Sequence, residues 1–143
     1  RGDGTFEDAS GEAGGDFLAA RAHRGCAFAD FDNDGRIDVV VSALGEVPEI
    51  WRNVTSEAGN WLEIKLTGTK SNRDGIGAEI EAGDQHNHMT TAVGYASSSD
   101  FGVHFGTGAK KQIDRIRIRW PSGAEQQLTN VKMNQVLQIR ETL

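Results

Sequence analysis

The sequence lacks the features on which several classes of protein depend. Cys26 is the only cysteine in 143 residues, so no disulfide can form within the chain. No apolar run approaches the roughly 20 residues of a membrane-spanning helix, and we expect no membrane insertion. Lys and Arg number 15 against 21 Asp and Glu, which gives a formal net charge of −6. This balance argues against nucleic acid as a partner, because nucleic-acid binding needs a basic surface.

Proline is also scarce, with two residues, whereas glycine is abundant, with 18. This combination indicates tight turns between short elements. Most apolar segments alternate with polar residues at period two, which is typical of half-buried β-strands. In "QIDRIRIRW" we expect Ile113, Ile116 and Ile118 on one face, with a bulge or the strand start where the period breaks. The sequence therefore predicts an all-β protein.

A change of pattern near "TSEAGN", residues 55–60, divides the chain. Residues 1–56 contain an aspartate-rich stretch and a short β-hairpin. Residues 57–143 contain regularly spaced short strands, enough for a small β-sandwich or a barrel-like module. We predict two domains with these bounds.

The stretch "ADFDNDGRIDVVVS", residues 29–42, carries four aspartates within nine positions. Their spacing, D-x-D-x-D-G-x-x-D, places oxygen atoms at alternate positions of a tight loop, which suits a hard cation such as Ca²⁺. The candidate metal ligands are Asp30, Asp32, Asp34, the backbone carbonyl of Arg36, and Asp38, which acts directly or through water. Gly35 makes the sharp turn. The side chain of Arg36 is expected to point away from the ion.

The same spacing distinguishes between other interpretations of this stretch. A solvated turn, in which Asp and Asn side chains bond to the local backbone, is the simplest alternative. An EF-hand needs Glu at position 12 and flanking helices. Position 12 here is Val41, within a β-branched run that favours a strand. Mg²⁺ fits less well than Ca²⁺, because it retains more of its water ligands. We therefore predict a calcium loop that joins two β-strands.

The aspartate stretch closely resembles the calcium-binding loop of FG-GAP (VCBS-type) repeats, the blades of integrin-α-like propellers. The segment "GDGTFEDAS" resembles the turn and strand that precede such a loop. The later segments "GNWLEIKLTG", "NRDGIGAEIEA", "HFGTG", "IDRIRIRWPSG" and "NQVLQI" resemble the ASPIC/UnbV domain. That domain follows FG-GAP repeats in secreted proteins of the cartilage-acidic-protein type.

This resemblance implies a partial propeller-type calcium-loop hairpin followed by a β-rich module. It implies Ca²⁺ at Asp30, Asp32, Asp34, Arg36 and Asp38. It also implies a C-terminal fragment of an extracellular protein whose signal peptide lies outside this fragment. It implies no known catalytic residues.

Three further groups of residues carry possible chemistry. His86 and His88 share a strand face and, with Asp84, could hold Zn²⁺ or Cu²⁺, although a polar loop is the simpler interpretation. A hydrolase triad could be assembled from a second group, although no nucleophile-elbow motif surrounds any of its serines. That group comprises Ser97, Ser98, Ser99, Asp100 and His104. The aromatic residues that could stack on a sugar, or equally fill a core, are Trp51, Trp61, Trp120 and Tyr95.

The function expected from these observations is that of a non-enzymatic, extracellular, calcium-binding module that binds a protein or matrix partner. Two alternatives stay open at the level of sequence. One is a carbohydrate-binding module that uses exposed tryptophans, with a glycan as its ligand. The other is an accessory domain of a secreted enzyme.

Overall fold

The computed structural model describes residues 3–142, and it confirms the all-β prediction. Arg1, Gly2 and Leu143, at the outer ends of the two predicted domains, lie outside this range. The strands are β1 (His23–Ala29), β2 (Asp38–Ala43), β3 (Glu49–Trp51), β4 (Asn60–Thr67), β5 (Glu79–Ala82), β6 (Gln85–His88), β7 (Ala92–Gly94), β8 (Ser97–Ser98), β9 (Gly102–Gly108), β10 (Gln112–Arg119), β11 (Glu125–Lys132) and β12 (Gln135–Arg140). Two 3₁₀ turns, Ser10–Glu12 and Gly15–Leu18, precede them. No helix in the described range is long and apolar enough to cross a membrane.

Strands β1, β2 and β3 form a small antiparallel sheet in that order. The β-branched run Val39–Val41 favours extended backbone and forms the centre of the middle strand. Ala29 at the end of β1 pairs with Asp38 at the start of β2. The aspartate-rich residues between them therefore form the connection of a hairpin, as the sequence predicted.

The remaining strands form two packed sheets and a short hairpin. One sheet has the order β11-β10-β5-β6, the other β12-β4-β9, and β7 pairs with β8. Ile113, Ile116 and Ile118 are all buried on one face of β10, which confirms that prediction. They pack against Leu62 and Ile64 of β4, among other residues of a single apolar cluster. The predicted domain boundary near residue 57 falls between β3 and β4 and stays a prediction.

Glutamine side chains connect the two sheets at their edges. Gln85 Nε2 donates to the carbonyl of Gly106 at 2.8 Å, which links β6 to β9. Gln126 Nε2 donates to the carbonyl of Arg140 at 2.9 Å, and the backbone N–H of Thr142 donates to Gln126 Oε1 at 3.1 Å. Because no backbone ladder crosses these edges within residues 3–142, the module is a β-sandwich and not a closed barrel.

A buried carboxylate holds the end of the chain to the sandwich. Glu141 is only 3% exposed, and its Oε2 accepts the backbone N–H groups of Thr69, Lys70 and Ser71 at 2.7–2.8 Å. Its Oε1 accepts hydroxyl groups from Ser71, at 2.9 Å, and from Ser122. Desolvation opposes ionisation of this group, but the five donors outweigh it and hold the pKa of Glu141 well below its ordinary value.

Candidate metal centre

The acidic loop, residues 30–38, folds back on itself through two residues with left-handed backbone. Asn33 has φ 57° and Gly35 has φ 87°. Asparagine tolerates this region and glycine adopts it without a steric cost. The two residues bring the end of the loop back to β1, so the first and last aspartates lie side by side.

Three carboxylates converge within this loop. One oxygen from each of Asp30, Asp32 and Asp38 lies within 4.8 Å of the others, and no other such group of His, Cys, Asp or Glu occurs among residues 3–142. Asp38 is buried, Asp30 is half-buried and Asp32 is exposed. Hard oxygen donors at this separation form the kind of set that Ca²⁺ prefers.

Backbone N–H groups orient two of these carboxylates. Asp30 Oδ1 accepts the N–H of Asp34 at 3.0 Å, and its Oδ2 accepts the N–H of Gly35 at 2.7 Å. Asp38 Oδ2 accepts the N–H of Phe31 at 3.1 Å, and its Oδ1 accepts the N–H of Asn53 at 2.7 Å. Each oxygen retains a further lone pair. The loop therefore holds both acids in place while leaving them able to bind a cation.

Asp34 and Arg36 differ from the sequence-based expectation in their side chains. The Arg36 guanidinium folds back and contacts Asp34 Oδ2, while the Arg36 backbone N–H donates to Asp34 Oδ1 at 2.9 Å. The sequence predicts an Arg36 side chain that points away from the ion, whereas the guanidinium lies against Asp34, a proposed ligand. The cause is not local, because Arg36 Nε donates to the carbonyl of Asn53, 17 positions along the chain, at 2.8 Å. The ligand roles of Asp34 and of the Arg36 carbonyl stay predictions.

A second arginine lies at the outer rim of the loop. Arg52, which directly follows β3, contacts Asp32 Oδ2 and lies 3.7 Å from Asp34 Oδ2. Desolvation raises the pKa of Asp32, but the Arg52 charge and hydrogen bonds with Asp34 and Arg52 together outweigh it, so the pKa of Asp32 is lowered. Four aspartates thus face two guanidinium groups. The loop keeps an excess of two formal negative charges, which a divalent cation would neutralise.

The acidic loop also contacts the sandwich, and no sequence motif indicates this contact. A Cβ placed on Gly35 would overlap the indole of Trp61 on β4. His104 on β9 has Nε2 at 3.0 Å from the carbonyl oxygen of Gly35, and since a carbonyl only accepts, Nε2 carries the proton. The two rings stack nearly parallel, 9° apart with centroids 5.9 Å apart, and are here called the ring pair.

Burial governs the protonation of the ring pair's histidine. Desolvation lowers the pKa of His104 below its ordinary value, although the hydrogen bond to Gly35 and the charge of Asp30 oppose this shift. The neutral imidazole is therefore favoured at neutral pH, with its N–H directed at the loop.

Comparison with known proteins agrees with this architecture. Residues 68–142 match the family model described as ASPIC and UnbV, and residues 1–41 match the FG-GAP-like repeat. The chain belongs to the ASPIC and UnbV family. It is also similar to cartilage acidic protein 1 of Mus musculus, with 24% identity over 120 residues that cover 77% of this chain. The matched part is 18% of that relative, so the chain spans about a fifth of its length.

The resemblance inferred from the motifs is thus confirmed. The ASPIC/UnbV match covers β5–β12. The β-sandwich formed by β4–β6 and β9–β12 is called the ASPIC/UnbV sandwich below. The acidic loop lies wholly within the FG-GAP-like match, which continues into β2 as far as residue 41. The acidic loop therefore lies in the FG-GAP-like match and His104 in the ASPIC/UnbV match, while Trp61 lies between the two matches.

The other candidate sites do not assemble. His86 and His88 are exposed on β6 opposite Glu81 and Glu79, and no third ligand atom lies close enough to make a metal group in the described residues. In the candidate triad, His104 bonds to the carbonyl of Gly35, as described above. His86 and His88 therefore lack a third metal ligand in the described residues, and His104 is engaged in a structural contact.

The remaining triad groups have their own partners as well. Ser99 Oγ accepts the backbone N–H of Phe28 at 3.0 Å. Asp100 pairs with Lys65 Nζ at 3.0 Å. No hydrogen bond among residues 3–142 connects His104 to a serine hydroxyl, so a triad geometry is not formed there.

The tryptophans do not form an exposed platform. Trp120 is 2% exposed and Trp61 is 9% exposed, while Trp51 is half-buried beside Phe17. Tyr95 is the exposed member of the group. The premise that exposed tryptophans present a sugar-stacking surface is therefore wrong, because Trp120 fills the core, Trp61 contacts the acidic loop and Trp51 packs against Phe17.

Proposed function

We propose that the chain is a non-enzymatic extracellular module in which the acidic loop binds Ca²⁺ and stabilises the β-hairpin that carries it. The observation that supports this most strongly is the convergence of the Asp30, Asp32 and Asp38 carboxylates within 4.8 Å. The donor set is entirely of oxygen, and its excess of two negative charges matches one divalent cation.

The residues that would hold the ion are Asp30, Asp32 and Asp38, with Asp34 and the Arg36 carbonyl as further proposed ligands. Bound Ca²⁺ would supply charge neutralisation and no chemistry. The backbone N–H bonds to Asp30 and Asp38 already fix these side chains, so little conformational entropy remains to be lost on binding. Calcium modules of extracellular proteins commonly bind at about 10⁻⁴–10⁻³ M, which accords with an extracellular location.

Isothermal titration calorimetry tests this proposal and separates two ligand sets. Ca²⁺ is titrated into the wild-type chain and into Asp32→Asn, Asp34→Asn and Asp114→Asn, the last being an exposed control on β10. We expect binding to the wild type and the control, and weakened binding to Asp32→Asn. Equal weakening in Asp34→Asn supports the larger ligand set. Absence of binding to the wild type contradicts the proposal.

We further propose a protein or matrix partner over a glycan. Among the described residues, nine of the thirteen exposed large apolar side chains lie within residues 3–56, including Phe6, Val47 and Ile50. Apolar surface at this density is typical of contact with another polypeptide. By contrast, Trp61 and Trp120 are buried and Trp51 is half-buried, so these tryptophans present no exposed face to a glycan. Tryptophan fluorescence titrated with a glycan panel tests the point, and a saturable response would favour the carbohydrate alternative.

A further inference from the structure

Gly35 links the acidic loop to the ASPIC/UnbV sandwich through its backbone N–H and its backbone carbonyl. Its N–H donates to Asp30 Oδ2 at 2.7 Å, and its carbonyl accepts from His104 Nε2 at 3.0 Å. Its Cα lies directly against the Trp61 indole, where no side chain would fit. A displacement of Asp30 would therefore act directly on Gly35, which contacts both rings of the ring pair.

Strand pairing and a hydrogen bond hold the ring pair in the sandwich. Trp61 and His104 come from neighbouring strands, since β4 and β9 pair with Trp61 opposite Gly106 and Glu63 opposite His104. Trp61 is 9% exposed, and its backbone N–H donates to Asn134 Oδ1 at 3.1 Å. The sandwich side of the contact is thus held by the pairing of β4 with β9 and by Asn134.

A second contact joins β1 to the segment between β8 and β9 through residues that are not candidate ligands. The N–H of Phe28 donates to Ser99 Oγ at 3.0 Å, and the N–H of Asp100 donates to the Phe28 carbonyl at 3.1 Å. Asp100 pairs in turn with Lys65 of β4. None of these groups belongs to the candidate ligand set. This contact therefore holds β1 to the sandwich independently of the acids.

From the Gly35 contacts we infer that this residue couples the acidic loop to the ASPIC/UnbV sandwich, so that a cation bound to the loop is sensed by Trp61 and His104. The Phe28 contact joins the same two parts of the chain through residues that are not candidate ligands. The inference rests on the proposed Ca²⁺ site, because a cation held by Asp30 would act on Gly35 through the hydrogen bond between them. Because coupling between two sites is reciprocal, weakening the ring pair must also weaken Ca²⁺ binding.

The test follows the ring pair and the Ca²⁺ affinity in the same protein. The indole N–H resonance of Trp61 is assigned by its loss in Trp61→Phe and is followed by NMR during a Ca²⁺ titration, with calorimetry giving Kd. We expect the resonance to shift and to saturate at that Kd. This measurement on the wild-type chain does not depend on whether any variant folds.

Variants of His104 provide the reciprocal measurement. His104→Phe keeps a flat ring against Trp61 but removes the donor to Gly35, and we expect it to weaken Ca²⁺ binding by about fivefold or more. His104→Gln restores an N–H donor and should recover most of the affinity. His86→Phe, an exposed histidine on β6, is the matched control and should leave Kd unchanged.

The outcomes separate this inference from the proposed function. Ca²⁺ binding with an unmoved Trp61 resonance and a wild-type Kd in His104→Phe overturns the coupling but leaves the Ca²⁺ site intact. Failure of the wild-type chain to bind Ca²⁺ overturns both.

Discussion

Gly35 and Trp61 are in direct van der Waals contact although 26 positions separate them in the chain, and only a residue without a side chain fits at this point of the loop. The same glycine has φ 87°. Two physical requirements thus coincide at one residue, a left-handed backbone and the absence of a Cβ.

Gly35→Ala should therefore destabilise the protein more than a left-handed backbone alone explains. Gly45→Ala is the matched control, because Gly45 has φ 74° and nothing within 4 Å of its would-be Cβ. The control should lose about 1 kcal/mol from the left-handed backbone. Gly35→Ala should lose about 1–3 kcal/mol more, from overpacking against the indole. Urea unfolding measures both, and equal losses would show that the contact with Trp61 is not tight.

Glu141 gives the protein a defined dependence on pH. Its pKa in the folded chain is well below the ordinary value, so its contribution to stability is complete above the unfolded pKa of about 4.3. The contribution declines as pH falls below that value toward the folded pKa. Glu141→Gln should therefore lower Tm at pH 7, and the gap to the wild type should narrow below about pH 4.

The matched control for this prediction is Glu57→Gln, since Glu57 is exposed. Calorimetric Tm values at several pH values give the comparison, because the other carboxyl groups titrate equally in both proteins. A gap between wild type and Glu141→Gln that stays constant from pH 7 to pH 3 would argue against an ionised, hydrogen-bonded Glu141.

Arg52 partly neutralises the acidic loop, and its removal should favour a cation. The pair with Asp32 is exposed, with side chains 62% and 38% accessible, so Arg52→Gln should cost under about 1 kcal/mol without Ca²⁺. The loop then keeps one more negative charge, and Ca²⁺ binding should tighten by roughly threefold to tenfold at low salt. Arg73→Gln, at a largely exposed arginine of the sandwich, serves as the control. Weaker Ca²⁺ binding in Arg52→Gln would mean that Arg52 positions Asp32 instead of competing for it.

Local patterns in the sequence predicted much of the fold. The alternation in β10 correctly placed Ile113, Ile116 and Ile118 on one buried face. The run Val39–Val41 correctly indicated that the acidic loop leads into a strand. In both cases the deciding interaction is between neighbours along the chain or is set by a period of two. Such information is fully present in a short segment.

The contacts that position the site depend on residues far apart in sequence. His104 meets Gly35 across 69 positions, and Glu141 meets Ser71 across 70. No local pattern specifies either pairing, because both follow from how the sheets pack. The predicted direction of the Arg36 side chain was wrong for the same reason, because its acceptor, the carbonyl of Asn53, lies beyond β2 and β3 in the sequence.

If the acidic loop binds Ca²⁺ as proposed, binding should stabilise the fold. The most direct measurement is the thermal midpoint with about 10 mM Ca²⁺ and with EDTA, for wild type, Asp38→Asn and the control Asp114→Asn. At a Kd of about 10⁻⁴–10⁻³ M, linkage adds about 1.4–2.7 kcal/mol of stability, or about 3–10 °C in Tm. We expect this gain in the wild type and the control, and its loss in Asp38→Asn. A wild-type midpoint that is the same in Ca²⁺ and in EDTA would contradict it.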